Sequence, residues 1–335
     1  MYVPPEVCSN EDLATVHGMD TSDEWIHQRT GIRERRHAAA GWAAHDMALP
    51  ACLAALEQAN MTADEIDLIV FATLSPKHAF PGDGVYLQRA LGLCGDGGTF
   101  APALDVRNQC SGFLYGLSVA NAMIGSRAAT TVLVVGAEAH SAALDFTTRG
   151  RTVASLFGDG AGAVILTEAK PDEGISYVTL GADGRHADEL CQKVWDMSRR
   201  PYIELDDEGY GRIPPSELWA NMDGRTVYRH AVQRMCEVVH RLCSEGGVAL
   251  EDIERFYFHQ ANLRINQAVA QRLGIPFDKV PTNIDRYGNT TAATIPLLLA
   301  EDTRNGRLQP GMKVACVAFG SGFTWGGALI DWASS

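Results

Sequence analysis

No stretch of this 335-residue chain is apolar for anything near the ~20 residues that a membrane span needs. The N-terminus also lacks the basic-then-apolar pattern of a secretion signal, so a cytoplasmic location is the default expectation. The eight cysteines (8, 52, 94, 110, 191, 236, 243, 316) are scattered and form no C-x-x-C pair, which indicates neither a disulfide framework nor a zinc site. Most are expected to be reduced, buried and inert. H-E-x-x-H and G-x-S-x-G are missing too, leaving metalloprotease and serine-hydrolase readings without support. "FGDGAGAV" (157–164) spaces its glycines G-x-G-x-G and leads into a strand-like run, so it is no phosphate loop and no nucleotide cofactor is implied. Positive charge is scarce: 28 Lys and Arg against 41 Asp and Glu give a formal charge of −13. That balance argues against non-specific nucleic-acid binding and requires any acidic partner to dock on a local basic patch.

What is present suits a large soluble core, with 46% hydrophobic and 21% charged residues. The chain carries a concealed duplication. "MTADEIDLIVFAT" (61–73) and "VALEDIERFYFHQ" (248–260) share a helix end, an acidic turn and an apolar strand-like run that starts at isoleucine. After the first copy the pattern predicts a helix near 83–92, a strand near 102–106, a helix at Cys110, and the strands "TVLVVGAE" and "GAGAVILTE". After the second it predicts a helix over 262–273, a short strand near 279–283, the helix "NTTAATIPLLLA", and the strands "KVACVAFG" and "WGGALIDWA". The expected fold is α/β, with two pseudo-equivalent halves (1–170 and 171–335), mostly parallel or mixed sheets, and polar chemistry gathered at strand ends.

Three residues stand out under this pairing. A lone cysteine in an apolar run is more often core filler, but Cys110 begins a helix, where backbone N–H groups and the helix dipole favour a thiolate. His259, where a buried strand ends, reads alone as a hydrogen-bonded core histidine, and Asn289 as a helix cap after a glycine turn. The repeat brings all three to facing strand and helix ends. Together they can run thioester chemistry, the thiolate attacking an acyl group while two neutral donors stabilise an enolate or oxyanion.

The segments "TSDEWIHQRTGIRERR", "HAFP", "DVRNQCSGFLYGL", "FGDGAGA", "GADGRHAD", "HQANLRI", "DRYGNT" and "AFGSGFTWGGAL" occur in an order that resembles the β-ketoacyl-acyl carrier protein synthase III family, within the thiolase-like fold. The resemblance runs from about residue 2 to the end. It implies an acyltransferase that moves an acyl group from coenzyme A to Cys110 and condenses it with malonyl-acyl carrier protein after loss of CO2. His259 and Asn289 match the pair that holds the malonyl thioester oxygen, and the N–H groups of Cys110 and Ser321 match the oxyanion hole. Trp25 and Arg29, joined by Arg151, match positions that sandwich adenine, while Phe157, Met222, Gly224, Asn262 and Phe319 match substrate-binding positions along the pantetheine tunnel. Arg264, Arg229 and Arg272 match the carrier-docking face. Family members are homodimers, so Phe80 in "HAFP" is expected to close the partner's acyl pocket.

Two features depart from the housekeeping pattern. The segment 191–224 is long and polar, which keeps a longer primer, or a role in secondary metabolism, open beside the short primer that Phe80 suggests. The second half opens with "ISYVTLGADG" (175–184) whereas the first has no counterpart, so roughly nine residues of a central strand are missing in family terms and a start codon upstream is expected. A degradative thiolase is disfavoured because "GSGFTWGG" lacks a second cysteine. A Cys-His-Asn thioester hydrolase and a non-catalytic partner subunit stay open as alternatives.

Overall fold

The computed structural model describes residues 1–333. Eight strands build two sheets: β1 (Leu68–Ala72), β2 (Ala103–Val106), β3 (Val132–Glu138) and β4 (Gly160–Leu166) in the first, β5 (Gly174–Ala182), β6 (Arg255–Phe258), β7 (Lys313–Gly320) and β8 (Thr324–Asp331) in the second. Their spatial orders are β2-β1-β3-β4 and β6-β7-β8-β5. The pairs β1/β2, β1/β3 and β6/β7 are parallel; β3/β4, β7/β8 and β8/β5 are antiparallel. Both sheets are therefore mixed, with each half ending on an antiparallel pair of strands. The core trio β1-β3-β4 repeats as β6-β7-β8, as the duplicated pattern predicts.

Six helices matter to the argument: α1 (Asp23–Thr30), α2 (Ala44–Ala59), α3 (Gly112–Gly125), α4 (Gly224–Gly246), α5 (Leu263–Leu273) and α6 (Thr294–Arg304). α2 covers the outer face of the first sheet, α4 the outer face of the second, and α3 and α6 lie between the sheets. Strand alternation dictates this layering. Val70 and Val134 point inward to Phe113 and Leu117 of α3, whereas Ile69, Phe71, Leu133 and Val135 point outward to Ala48 and Cys52 of α2. β7 alternates likewise, with Cys316 and Ala318 in the central layer and Val317 and Phe319 against α4. Each large apolar side chain so buried contributes about 1.5–3 kcal/mol.

Two expectations need correction. Residues 279–283 form no strand; a 3-10 turn (Phe277–Lys279) gives way to irregular chain. Pro281 has no N–H to donate to the edge of β6, so the ladder ends there. The strand "ISYVTLGADG" is not central but the edge of its sheet, and at the corresponding edge of β4, among the described residues, only Tyr2 pairs, with Ala161. Among the described residues, no helix is long and apolar enough to cross a membrane.

Candidate active site

β2 leads into a tight 3-10 turn (Gln109–Ser111) before α3 begins, and Gln109 takes a left-handed φ of 47° to make it. Cys110 sits at its apex, 8% exposed. The end of β7 closes on it: a Cβ at Gly320 would lie 2.8 Å from the Cys110 Cβ, so only glycine permits this approach. The approach sets the Ser321 N–H near the sulfur, together with the N–H of Cys110 and the Thr291 side chain, and each of the three favours the thiolate. The serine side chains are engaged elsewhere, Ser111 with Thr324 Oγ1 at 2.8 Å and Ser321 with the Leu190 carbonyl.

The expected thiolate is not what this environment favours. Burial first, and then the Glu138 charge, push the thiol up to about 12 against the pull of those three donors. A helix terminus supplies at most about 2 kcal/mol to an anion, whereas removing a charge from water costs several kcal/mol. Resting Cys110 is a thiol, and attack requires that its proton be taken.

His259 follows β6, its N–H donating to the Val317 carbonyl at 2.9 Å. Desolvation pushes the imidazole down to about 3, so the ring is neutral. Nδ1 lies 2.7 Å from Thr294 Oγ1, and the buried Nε2 has no partner among the described residues. Asn289 is pinned at its backbone between Leu156 (2.8 Å) and Gly158 (3.1 Å), and its Oδ1 accepts the Thr291 N–H at 2.9 Å. That bond orients the amide with Nδ2 as the free end.

Cys110, His259 and Asn289 meet on the wall of one cavity of about 450 Å³. Trp25, Arg29, Phe157, Met222, Gly224, Asn262 and Phe319 line it as well. Arg151 does not line it; its guanidinium lies 5.0 Å from the Trp25 ring centroid, beside that of Arg29 at 4.5 Å. Ser22 caps α1 and Gly31 ends it with φ 80°, letting α1 abut Leu263. Asn262 locks this junction, donating to the Arg29 carbonyl at 3.0 Å and accepting the Arg264 N–H at 2.9 Å. Both ends of its amide thus hold the entrance together.

Of the predicted docking cations, Arg264 is exposed on the first turn of α5, next to Asn262, and Arg229 is exposed on α4 beside the cavity residue Tyr228. Arg272 is exposed roughly 12 Å further along α5. Phe80 is 84% exposed and does not line this cavity. Leu190 and Met222 of the paired strands at the base of the long segment line the cavity, while Trp195, Met197, Tyr202 and Tyr210 on its excursion are exposed.

Sequence reasoning missed four polar residues around the centre: Thr291, Thr294, Glu138 and His140. The last two carried a legible signal, a Glu and a His closing an otherwise apolar strand. The threonines carried none, since a T-T-x-x-T run before a helix reads as capping.

Residues 104–184 match the family model described as 3-oxoacyl-[acyl-carrier-protein (ACP)] synthase III, and residues 243–332 match the one for its C-terminal part. Among curated relatives, the β-ketoacyl-[acyl-carrier-protein] synthase III of Xanthomonas oryzae pv. oryzae is 44% identical over 329 residues, spanning 98% of this chain and 95% of the relative. Among solved structures, the synthase III of Thermus thermophilus superposes with a TM-score of 0.88 at 37% identity, covering 100% of this chain and 98% of its own. The priming β-ketosynthase of the R1128 polyketide pathway superposes at 0.87 with 31% identity, covering 99% and 94%.

Proposed function

The chain belongs to the 3-oxoacyl-[acyl-carrier-protein] synthase III family, and from that premise we propose how its residues divide the reaction. The enzyme is an acyltransferase that condenses an acyl-coenzyme A primer with malonyl-acyl carrier protein, the step that starts an acyl chain. In this reading Cys110 attacks the primer's carbonyl, and the N–H groups of Cys110 and Ser321 take the negative charge of the tetrahedral adduct. Coenzyme A leaves, its adenine held at the mouth by Trp25, Arg29 and Arg151. The carrier docks on Arg264 and Arg229, and the malonyl thioester enters the same cavity. As the carboxylate departs as CO2, His259 and Asn289 donate to the thioester oxygen and hold the enolate. Its α-carbon attacks the acyl-Cys110 carbonyl, the carbon–sulfur bond breaks, and the β-ketoacyl carrier leaves while the expelled thiolate takes a proton from solvent to restore the thiol.

A neutral His259 suits this role if Nε2 carries the hydrogen. Thr294 Oγ1 lies 2.7 Å from Nδ1 and 3.0 Å from the Thr291 carbonyl, an acceptor only, so that tautomer requires the hydroxyl to turn its proton from the carbonyl to Nδ1. The working form is proposed to be a cytoplasmic homodimer in which Phe80 closes the acyl pocket of the second copy; its 84% exposure in the single chain supports that reading.

The observation that carries the assignment is the meeting of Cys110, His259 and Asn289 on one cavity, with two backbone N–H groups at the sulfur. Mass spectrometry after exposure to a panel of acyl-coenzyme A thioesters tests it. Acylation is expected on Cys110 and absent in Cys110→Ala, whereas Asn289→Ala still acylates but does not condense. Condensation by Asn289→Ala at the normal rate would overturn the division of roles. Release of free acid without malonyl-dependent CO2 would identify a hydrolase instead.

A further inference from the structure

Acylation needs a group that accepts the Cys110 proton, and the role of His259 as an Nε2–H donor leaves that residue no lone pair for it. The structure holds a second buried histidine behind the turn that packs on the nucleophile turn. The turn Thr291–Ala293 packs against the nucleophile turn, with the Thr291 hydroxyl at the sulfur. The same hydroxyl lies 2.6 Å from His140 Nε2, and that nitrogen is 3.8 Å from Glu138 Oε2. His140 is buried, its ring against the cavity residue Phe157 with centroids 4.8 Å apart. Glu138 is wholly buried, and both its oxygens face donors: Thr73, Ser75 and the N–H groups of Leu74, Ser75 and Ala292. Burial pushes this carboxyl up, and the His140 ring and these donors pull it the other way, toward the carboxylate.

We propose that Thr291 and His140 carry the Cys110 proton during acylation, with Glu138 as the fixed counter-charge. The proposal rests on Cys110 being the acylated nucleophile. Cys110 passes its proton to Thr291 Oγ1 while the Thr291 hydroxyl passes its own to His140 Nε2. The thiolate bonds to the acyl carbon, and imidazolium forms beside Glu138. When the adduct collapses and the bond from carbon to the coenzyme A sulfur breaks, the proton returns by the same route to the departing sulfur. One thiol and one thioester stand on each side. With Glu138 as the carboxylate, charge favours this route: ionising Cys110 to solvent would leave two negative charges in a buried cluster, whereas transfer to His140 keeps the net charge at that of Glu138 alone. His140 acts through Thr291 and is a positioning residue for the proton, not a group that touches substrate.

The titratable neighbours of His140 are Glu138, at the end of the strand just before it, and Cys110 across Thr291; Asp159 is engaged by the N–H groups of Ser141 (2.9 Å) and Ala38 (2.7 Å). The test is single-turnover acylation of Cys110 by acetyl-coenzyme A, followed by mass spectrometry from pH 6 to 10, in wild type, His140→Leu, Thr291→Val and Thr291→Ser, with Cys110→Ala as the blank. His140→Leu and Thr291→Val are expected to lose about 10²–10⁴-fold at neutral pH, the span of a general base. Their rates should then climb about tenfold per pH unit as hydroxide replaces the relay, while Thr291→Ser keeps the wild-type rate and profile. A folded His140→Leu that acylates at the wild-type rate and with its pH profile overturns the relay, and so does a Thr291→Val indistinguishable from Thr291→Ser. Should His140→Leu not fold, the two threonine variants decide alone. A wild type that never acylates on Cys110 removes the functional reading, and the relay with it.

Discussion

Gly320→Ala isolates how much the reaction depends on the closing of β7 over the nucleophile. Gly320 does not have a positive φ, so alanine meets no backbone strain there and the effect is purely steric. The new methyl would stand 2.8 Å from the Cys110 Cβ and 3.0 Å from its backbone nitrogen. Carbon atoms rest at about 3.5–4.0 Å, so β7 and the Cys110 turn must part by roughly 0.7 Å or more. Neither gives easily: β7 is buried from Val314 to Gly320 and the turn is wedged against Thr291–Ala293. Overpacking of this kind costs about 1–3 kcal/mol of stability. The kinetic cost is larger, because the Ser321 N–H moves with β7 and a displacement near 1 Å costs about 10²-fold. The assay is single-turnover acylation beside thermal unfolding. Gly125→Ala is the control, since a Cβ there meets nothing within 4 Å at the end of α3; it should leave acylation unchanged. A Gly320→Ala enzyme that acylates as fast as wild type would refute the reasoning about the oxyanion hole.

Three further outcomes are expected. Arg264→Glu should raise the KM for malonyl-acyl carrier protein in a way that weakens with added salt, and leave turnover of a small malonyl thioester intact; equal losses with both substrates would count against docking. Phe80→Thr should shift primer preference toward longer acyl-coenzyme A without impairing acetyl transfer, and an unchanged chain-length profile, or a fully active monomer by sedimentation, would end the idea of closure by a second copy. His259 is held near 3 in the folded protein against about 6.5 unfolded, so below pH 6.5 the unfolded chain takes up the proton first. Stability should therefore fall with acidification between those limits, by up to about 2 kcal/mol at pH 5 from this group. Melting at pH 7 and pH 5 checks it: a His259→Gln variant with the same pH dependence as wild type would show the assignment to be wrong.

Most of the architecture was legible because it rests on local pattern. The apolar runs at 66–73 and 253–259 begin their strands at the same point in each repeat, and alternation along β1, β3 and β7 already determines which side chains face α2, α3 or α4. Cys110, His259 and Asn289 were recoverable for the same reason, since each stands where a repeat ends an element, and chemistry collects at such ends. The irregular 279–283 stretch contained its own warning in Pro281.

What local pattern could not reach was the surroundings of each group. The thiol state of Cys110 depends on Glu138, Thr291 and the depth of burial, none of which is near it in the chain, and here desolvation exceeds what a helix terminus returns. The neutral state of His259 is set by the same burial, and the polar partner of its Nδ1 is Thr294, 35 residues away. Asn262 resembles a substrate contact in its motif, yet folding engages both ends of its amide in holding α1 to α5. Periodicity in a sequence records which face of an element is buried, and that determined the layers, the repeat and the candidate triad. Hydrogen bonds and charges between distant segments leave no periodic trace, so the protonation states, the Thr291–His140–Glu138 chain and the fit of Gly320 over Cys110 were decided only when the two sheets closed on the helices between them.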